Sequence, residues 1–227
     1  MDFHRVNKEK GCSSTKPLSA IIFFGVDGAG KSTQANLLSS MYKMRGFKVK
    51  RCWLRARHSF SYLLSRILLL IGNPSTISQS GIKILDTRRL PEKKLWSFLE
   101  FISVLPIILY RMILPISMGY VVIADRFVLD TIVYNRFFIG EDFKIYEKML
   151  MSMLPRNSLL IHMDVSRKEL TKRRVDDWPI NFIEFQLKEY RELVRARANL
   201  VMVSIDTSRK SVEETGRIIS SLCGLLE

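Results

Sequence analysis

Residues 21–34 read Ile21-Ile22-Phe23-Phe24-Gly25-Val26-Asp27-Gly28-Ala29-Gly30-Lys31-Ser32-Thr33-Gln34. A short apolar run feeds a loop of the form G-x-x-x-x-G-K-S, and an amphipathic stretch follows it. Strand, glycine loop and helix in that order are the setting a phosphate-binding P-loop requires. Glycines let the backbone bend and turn several N–H groups onto one anion. The helix that starts there adds the positive end of its dipole to the same point. Lys31 is placed to reach β- and γ-phosphates, and the Ser32 hydroxyl is placed to hold a Mg²⁺ ligand position. The loop residues Gly25, Asp27, Gly28, Ala29, Gly30, Lys31, Ser32 and Thr33 are therefore the first candidate site.

Outward from this loop the chain alternates strands and helices. Five runs read as strands: Ala20–Phe24, Lys48–Leu54, Tyr120–Ala124, Leu159–Met163 and Leu200–Ile205. Four are continuous apolar runs, the pattern of parallel strands covered on both faces. The second is mixed and reads as an edge strand. Helices are expected over Ser32–Arg45, Phe60–Ile71, Glu92–Leu114 with a bend near Pro106, Leu129–Phe138, Phe143–Leu154, Phe182–Leu200 and Val212–Leu222. Capping boxes stand at Ser166–Glu169 and Ser211–Glu214. This order predicts a three-layer α/β domain around a five-stranded parallel sheet. Such sheets bind ligands beyond the carboxyl ends of their strands. Polar groups gather there: the P-loop, then Arg55-Ala56-Arg57-His58, then Asp125-Arg126, Asp164 and Asp206.

The 227 residues suit a single domain, expected over 18–227, preceded by a polar, basic arm over 1–17. The arm has no apolar core of a signal peptide. Cys12, Cys52 and Cys223 lie far apart with no CxxC pair, which argues against a zinc site and fits a reducing, cytoplasmic setting. The net charge of +14 favours polyanionic ligands. The basic residues are scattered with no aromatic–basic recognition motif, which argues against nucleic acid as a partner. The apolar stretch Phe101–Ala124 holds Arg111, Pro106, Pro115 and Gly119. It reads as a helix followed by a buried strand rather than as a membrane span.

The second anchor is Val121-Val122-Ile123-Ala124-Asp125, an apolar strand ending in a carboxylate that can organise Mg²⁺, with Arg126 directly after it. Here the chain resembles the thymidylate kinase family of P-loop nucleoside monophosphate kinases. Gly25 to Gln34 matches the family's G-x-D-G-A-G-K-S-T-Q flavour, and Asp125-Arg126-Phe127 resembles its D-R-Y/H element. Tyr134-Asn135 stands where the family has Tyr-Gln. Leu160 to Val165 resembles the strand before its lid, and Val203 to Asp206 its closing strand.

The resemblance implies Mg-ATP-dependent phosphorylation of a nucleoside monophosphate, with dTMP the leading acceptor, by a three-layer P-loop kinase fold assembled as a homodimer. Lys31 and the loop amides would hold ATP phosphates, Asp27 would approach the acceptor sugar, and Asp125 with Ser32 would hold Mg²⁺. Arg126 would grip the acceptor phosphate, with Asp130 and Tyr134 in the same pocket, and Phe98 or Phe101 would stack on the base. A lid near 166–180 would supply Arg173 and Arg174 to the transition state, since Gly28 occupies the loop position that some members fill with arginine. The chain departs from the pattern on the acceptor side. Phe24 replaces a usual Glu, no R-E-P-G-G-T element follows the second strand, and Asp130 stands for Ser. The stretch where a base-reading Arg is expected carries Glu100. In place of the missing element stands Trp53-Leu54-Arg55-Ala56-Arg57-His58-Ser59, where Arg55 and Arg57 would grip a phosphate of the substrate from the same strand end. A kinase for another nucleotide or nucleoside, a nucleotide-dependent binding protein, and membrane-surface attachment through Phe60–Ile71 stay open at this point.

Overall fold

The computed structural model describes residues 18–54, 59–72, 75–77, 83–90, 92–173, 179–196 and 200–225. Five strands form one sheet: β1 (Ala20–Phe24), β2 (Val49–Cys52), β5 (Val121–Asp125), β6 (Ser158–Asp164) and β7 (Met202–Asp206). Their order is β2-β5-β1-β6-β7, and every pairing is parallel. β1 and β5 are buried at every position, which is what continuous apolar runs in the middle of a two-face-covered sheet require. β2 is a half-buried edge strand, as its mixed composition implies. Phe23 and Phe24 are fully buried. Each such ring contributes about 2–3 kcal/mol by leaving water.

Helices cover both faces: α1 (Lys31–Met44), α2 (Ser59–Leu70), α3 (Lys93–Ile108), α4 (Leu114–Ser117), α5 (Val128–Phe138), α6 (Lys144–Ser152), α7 (Arg167–Arg173), α8 (Ile180–Ala196) and α9 (Val212–Leu222). α1 stops before Gly46, whose φ of 82° is the left-handed geometry of a helix terminator. α9 starts where Ser211 accepts a hydrogen bond from the Glu214 N–H at 3.1 Å. Ser166 likewise accepts from the Glu169 N–H at the start of α7.

The expected Glu92–Leu114 helix extends further, to Ser117. Pro106 and Pro115 each remove one backbone donor, and between them the helix widens into a π-turn over Leu109–Ile113. This 93–117 run is long and apolar enough by length and composition to cross a membrane. Its Trp96, Phe101, Val104, Ile108 and Met112 are nevertheless buried against the domain. A second sheet went unanticipated: β3 (Ser75–Ile77) pairs antiparallel with β4 (Lys83–Leu85). Three-residue strands are too short to show a period of two. The 1–17 arm lies outside the described residues.

The registers set the site. Phe23 lies opposite Asp125, Phe24 opposite His162, and Asp164 opposite Asp206. The carboxyl ends therefore form one ledge, and Gly25 turns off it with φ 134°. A Cβ at Gly25 would sit 2.5 Å from the Met163 carbonyl oxygen. Gly25→Ala is expected to lower unfolding free energy by about 2–3 kcal/mol in a urea titration, because both φ and the carbonyl resist the methyl.

Candidate active site

The glycine loop forms the floor of a polar cavity of about 350 Å³. Asp27, Lys31, Ser32, Thr33, Trp53 and Arg126 line it along with Gly28 and Gly30. Gly30 caps α1 with φ 91°, has no side chain to offer the helix, and the first turn carries no acidic residue. Nothing in the chain's own first turn therefore neutralises the N-terminal amides, and an anion is the group that would. Lys31 is buried and donates to the carbonyl of Val26 in its own loop.

Arg126 is the one non-glycine with positive φ (74°) among the described residues. Its backbone explains this. As β5 ends, its N–H donates to the Phe23 carbonyl (2.9 Å) and its carbonyl accepts from the Leu54 N–H (3.3 Å). Both bonds hold the residue in a conformation that a non-glycine normally avoids. Its guanidinium pairs with Asp27 and, at 3.0 Å, with Asp130. Asp130 also accepts from the Phe127 N–H (3.2 Å) and the Tyr190 hydroxyl (2.9 Å). Burial pushes the Asp130 carboxyl up, opposed by Arg126, Lys31 and the hydrogen bonds from Tyr190 and Phe127. The substitution of Asp for the expected Ser thus has a purpose: it neutralises a buried arginine.

Asp125 is buried, and its Oδ1 has no hydrogen-bond partner among the described residues. An orphaned carboxylate oxygen beside the end of β1 suits a divalent cation. No group of three or more His, Cys, Asp or Glu side chains is placed to hold a metal ion among the described residues. A metal held here would depend on Asp125, Ser32 and the oxygens of its nucleotide, the sparse protein ligation Mg²⁺ favours.

Of the two lid arginines, Arg174 lies outside the described residues, as does Arg55. Arg173 ends α7 and donates to the Gly28 carbonyl at 3.0 Å and to the Thr207 carbonyl at 2.8 Å. Thr207 Oγ1 lies 3.0 Å from the Asp164 carbonyl and 3.3 Å from the Ala29 carbonyl, with one proton to offer between them. Residues after β6 and β7 thus reach two consecutive loop carbonyls. Thr207, just past β7, is a site residue that sequence reading missed; a lone Thr after a strand carries no signal of its own.

The aromatic candidates lie elsewhere. Phe101 is buried with its ring 5.2 Å from Tyr146, and the half-exposed Phe98 lies 6.4 Å from the same ring. Tyr134 packs on Phe138 (4.5 Å) and Phe182 (5.8 Å). None of the three lines the P-loop cavity. Glu100 is fully buried and accepts from Ser61 Oγ at 3.2 Å. Thr131 and Asn135, one turn apart on α5, are buried with side-chain polar atoms unpaired among the described residues.

His162 lies under the loop, stacked on Phe24 at 5.1 Å with Nδ1 2.9 Å from Ser204 Oγ. Burial pulls its pKa down from 6.5 to about 4. The unfolded chain therefore takes up this proton between pH 6.5 and 4 while the folded chain does not, so stability falls as pH drops through that window. The expected loss is on the order of 3 kcal/mol, and His162→Phe should remove it from a pH series of urea melts. Asp130→Ala, which leaves Arg126 buried with one fewer anion, should lower unfolding free energy by about 3 kcal/mol in the same assay, and Asp130→Asn by less.

No family model matches the chain. Among curated proteins it is 27% identical over 210 residues to a probable thymidylate kinase of Archaeoglobus fulgidus, covering 88% of this chain and 94% of the relative. It is 26% identical over 181 residues to the thymidylate kinase of Wolbachia pipientis wMel, covering 76% and 83%. Two solved structures share its fold. The thymidylate kinase from Candida albicans superposes with a TM-score of 0.64 at 16% identity, covering 93% of each chain. That from Ehrlichia chaffeensis gives 0.59 at 17%, covering 92% of this chain and all of the other. The glycine loop and the Asp-Arg element thus stand on a fold shared with solved thymidylate kinases, in a chain similar over most of its length to curated thymidylate kinases.

Proposed function

We propose that the chain transfers the γ-phosphoryl group of Mg-ATP to the 5′-phosphate of a nucleoside monophosphate, with dTMP the leading acceptor. One observation carries this reading. Lys31, Arg126 and the open amides of α1 share a cavity beside the orphaned carboxylate of Asp125. The names of the curated relatives agree with it.

Phosphoryl transfer asks a protein for alignment and positive charge more than for covalent chemistry. The loop amides bind the triphosphate. Lys31 exchanges the Val26 carbonyl for phosphate oxygens. Arg126, steadied by Asp27 and Asp130, brings a guanidinium to the transferring group, where such a group is worth on the order of 10³-fold in rate. Asp125 and Ser32 are the residues that would hold Mg²⁺, which when bound screens the charge between phosphates. Arg173 fixes the Gly28 carbonyl of the loop, and closure of the lid excludes water.

The acceptor side is where this chain departs from the family pattern it resembles. A buried polar group that meets a base edge discriminates strongly. Thr131 and Asn135 are buried groups of that kind on α5. Glu100 would favour a base that presents donors. The exposed Tyr62, Leu63 and Ile67 of α2, with Ile102 of α3, offer a second copy an apolar face, in line with a homodimer. Cys52 is a buried free thiol, in line with a reducing cytoplasm.

Purified protein with Mg²⁺ and ATP should release ADP in a coupled assay when given dTMP, or another member of a nucleoside monophosphate panel. Lys31→Ala should abolish that release. Full activity in the variant, or no acceptor-dependent ADP from any member of the panel, contradicts the reading.

A further inference from the structure

Three consecutive residues of α8 reach three different groups. Glu189 accepts from Arg136 of α5 at 2.7 Å. Tyr190 donates to Asp130 Oδ1, also on α5, at 2.9 Å. Arg191 spans the Asp164 carboxylate at the end of β6, with Nε 3.0 Å from Oδ2 and Nη2 3.1 Å from Oδ1. Successive side chains leave a helix about 100° apart. Bonds in three such directions fix both the rotation and the height of α8. Arg136 is itself clamped by both oxygens of Glu147 on α6.

Tyr190 is the middle residue of the three, and its ring is fully buried. Phe24 of β1 and His162 of β6 lie opposite one another in register and stack, and each ring stands 5.9 Å from that of Tyr190. A ring so enclosed points its hydroxyl one way. Asp130 shows what that hydroxyl does. Oδ1 accepts from Tyr190 and, at 3.0 Å, from Arg126, while Oδ2 accepts from the Phe127 N–H at 3.2 Å. A carboxyl group turns readily about its last side-chain torsion. One donor on each oxygen, from two different elements, stops that turn and gives Arg126 a fixed acceptor. With Phe127 alone, Oδ1 would be restrained only by the arginine itself. Burial pushes this carboxyl up, and after Arg126 and Lys31 the Tyr190 hydroxyl is the next group holding it charged.

We infer that Tyr190 is a positioning residue for phosphoryl transfer: its hydroxyl locks the Asp130 carboxylate that aims the Arg126 guanidinium. The inference rests on the kinase reading above and adds to it a residue of α8 that does not line the P-loop cavity.

The test is steady-state kinetics of the full chain with Mg-ATP and its acceptor, for wild type, Tyr190→Phe, Asp130→Ala and the double variant. Phenylalanine keeps the ring between Phe24 and His162 and removes only the hydroxyl. Tyr190→Phe should lower kcat at least tenfold with KM for Mg-ATP within twofold of wild type. Once Asp130 is alanine, the same change should cost less than a further twofold. A kcat within twofold of wild type overturns the inference, as does an equal loss in the Asp130→Ala background. A second readout needs no turnover. By NMR of isotope-labelled protein, the Arg126 guanidinium should show separate, slowly exchanging Nη protons in wild type that merge in Tyr190→Phe. Unchanged signals overturn the inference, and this comparison decides alone if Asp130→Ala does not fold. If wild type releases no ADP with any acceptor, the kinase reading fails, while merging signals leave the Tyr190–Asp130–Arg126 link standing.

Discussion

The glycine loop is tied down from several strands at once, and this constraint organises the structure around residues 25–31. Gly25 turns against the Met163 carbonyl at a distance no side chain tolerates. Arg173 and Thr207 take the carbonyls of Gly28 and Ala29. Asp27 is tied to Arg126, and Arg126 to Phe23 and Leu54 through its backbone. Strands β1, β5, β6 and β7 thus each contribute a restraint at their carboxyl ends. The loop backbone is thereby preorganised, and the Lys31 side chain on the Val26 carbonyl is the group that an incoming anion would have to move.

The same economy governs charge. A buried arginine is expensive unless paired. Arg126 is paired on both sides, and Asp130 is in turn satisfied by Phe127 and Tyr190. Asp125, one residue earlier, is the reverse: a buried carboxylate left with an open oxygen. Neighbouring residues at one strand end are therefore treated oppositely, one neutralised by the protein and one with an oxygen unpartnered among the described residues.

Much of this was legible beforehand because its signals are local. The glycine loop, the apolar strands, Gly46 as a helix stop and Ser211 as a cap each act within a few residues, and each appears where the sequence places it. The role of Asp130 was not legible, because it depends on Tyr190 sixty positions away. Thr207 acts through the backbone of a loop in another part of the chain. Phe98 and Phe101 carry aromatic rings at helical spacing, which reads the same for a base-stacking face as for packing on Tyr146. The three-residue strands β3 and β4 are set by their mutual pairing rather than by composition. Arg111 gained its position from a π-turn between two prolines, a backbone adjustment that no periodicity announces.

The central claim is that a triphosphate fills the Gly25–Thr33 cradle and faces Asp125. A crystal structure with Mg²⁺ and a non-hydrolysable ATP analogue tests it directly. The account predicts the β- and γ-phosphates against the amides of Gly28 to Thr33, Lys31 Nζ moved from the Val26 carbonyl onto phosphate oxygen, and density for Mg²⁺ between Ser32 and Asp125. An analogue bound elsewhere, with Lys31 still on Val26, would contradict it.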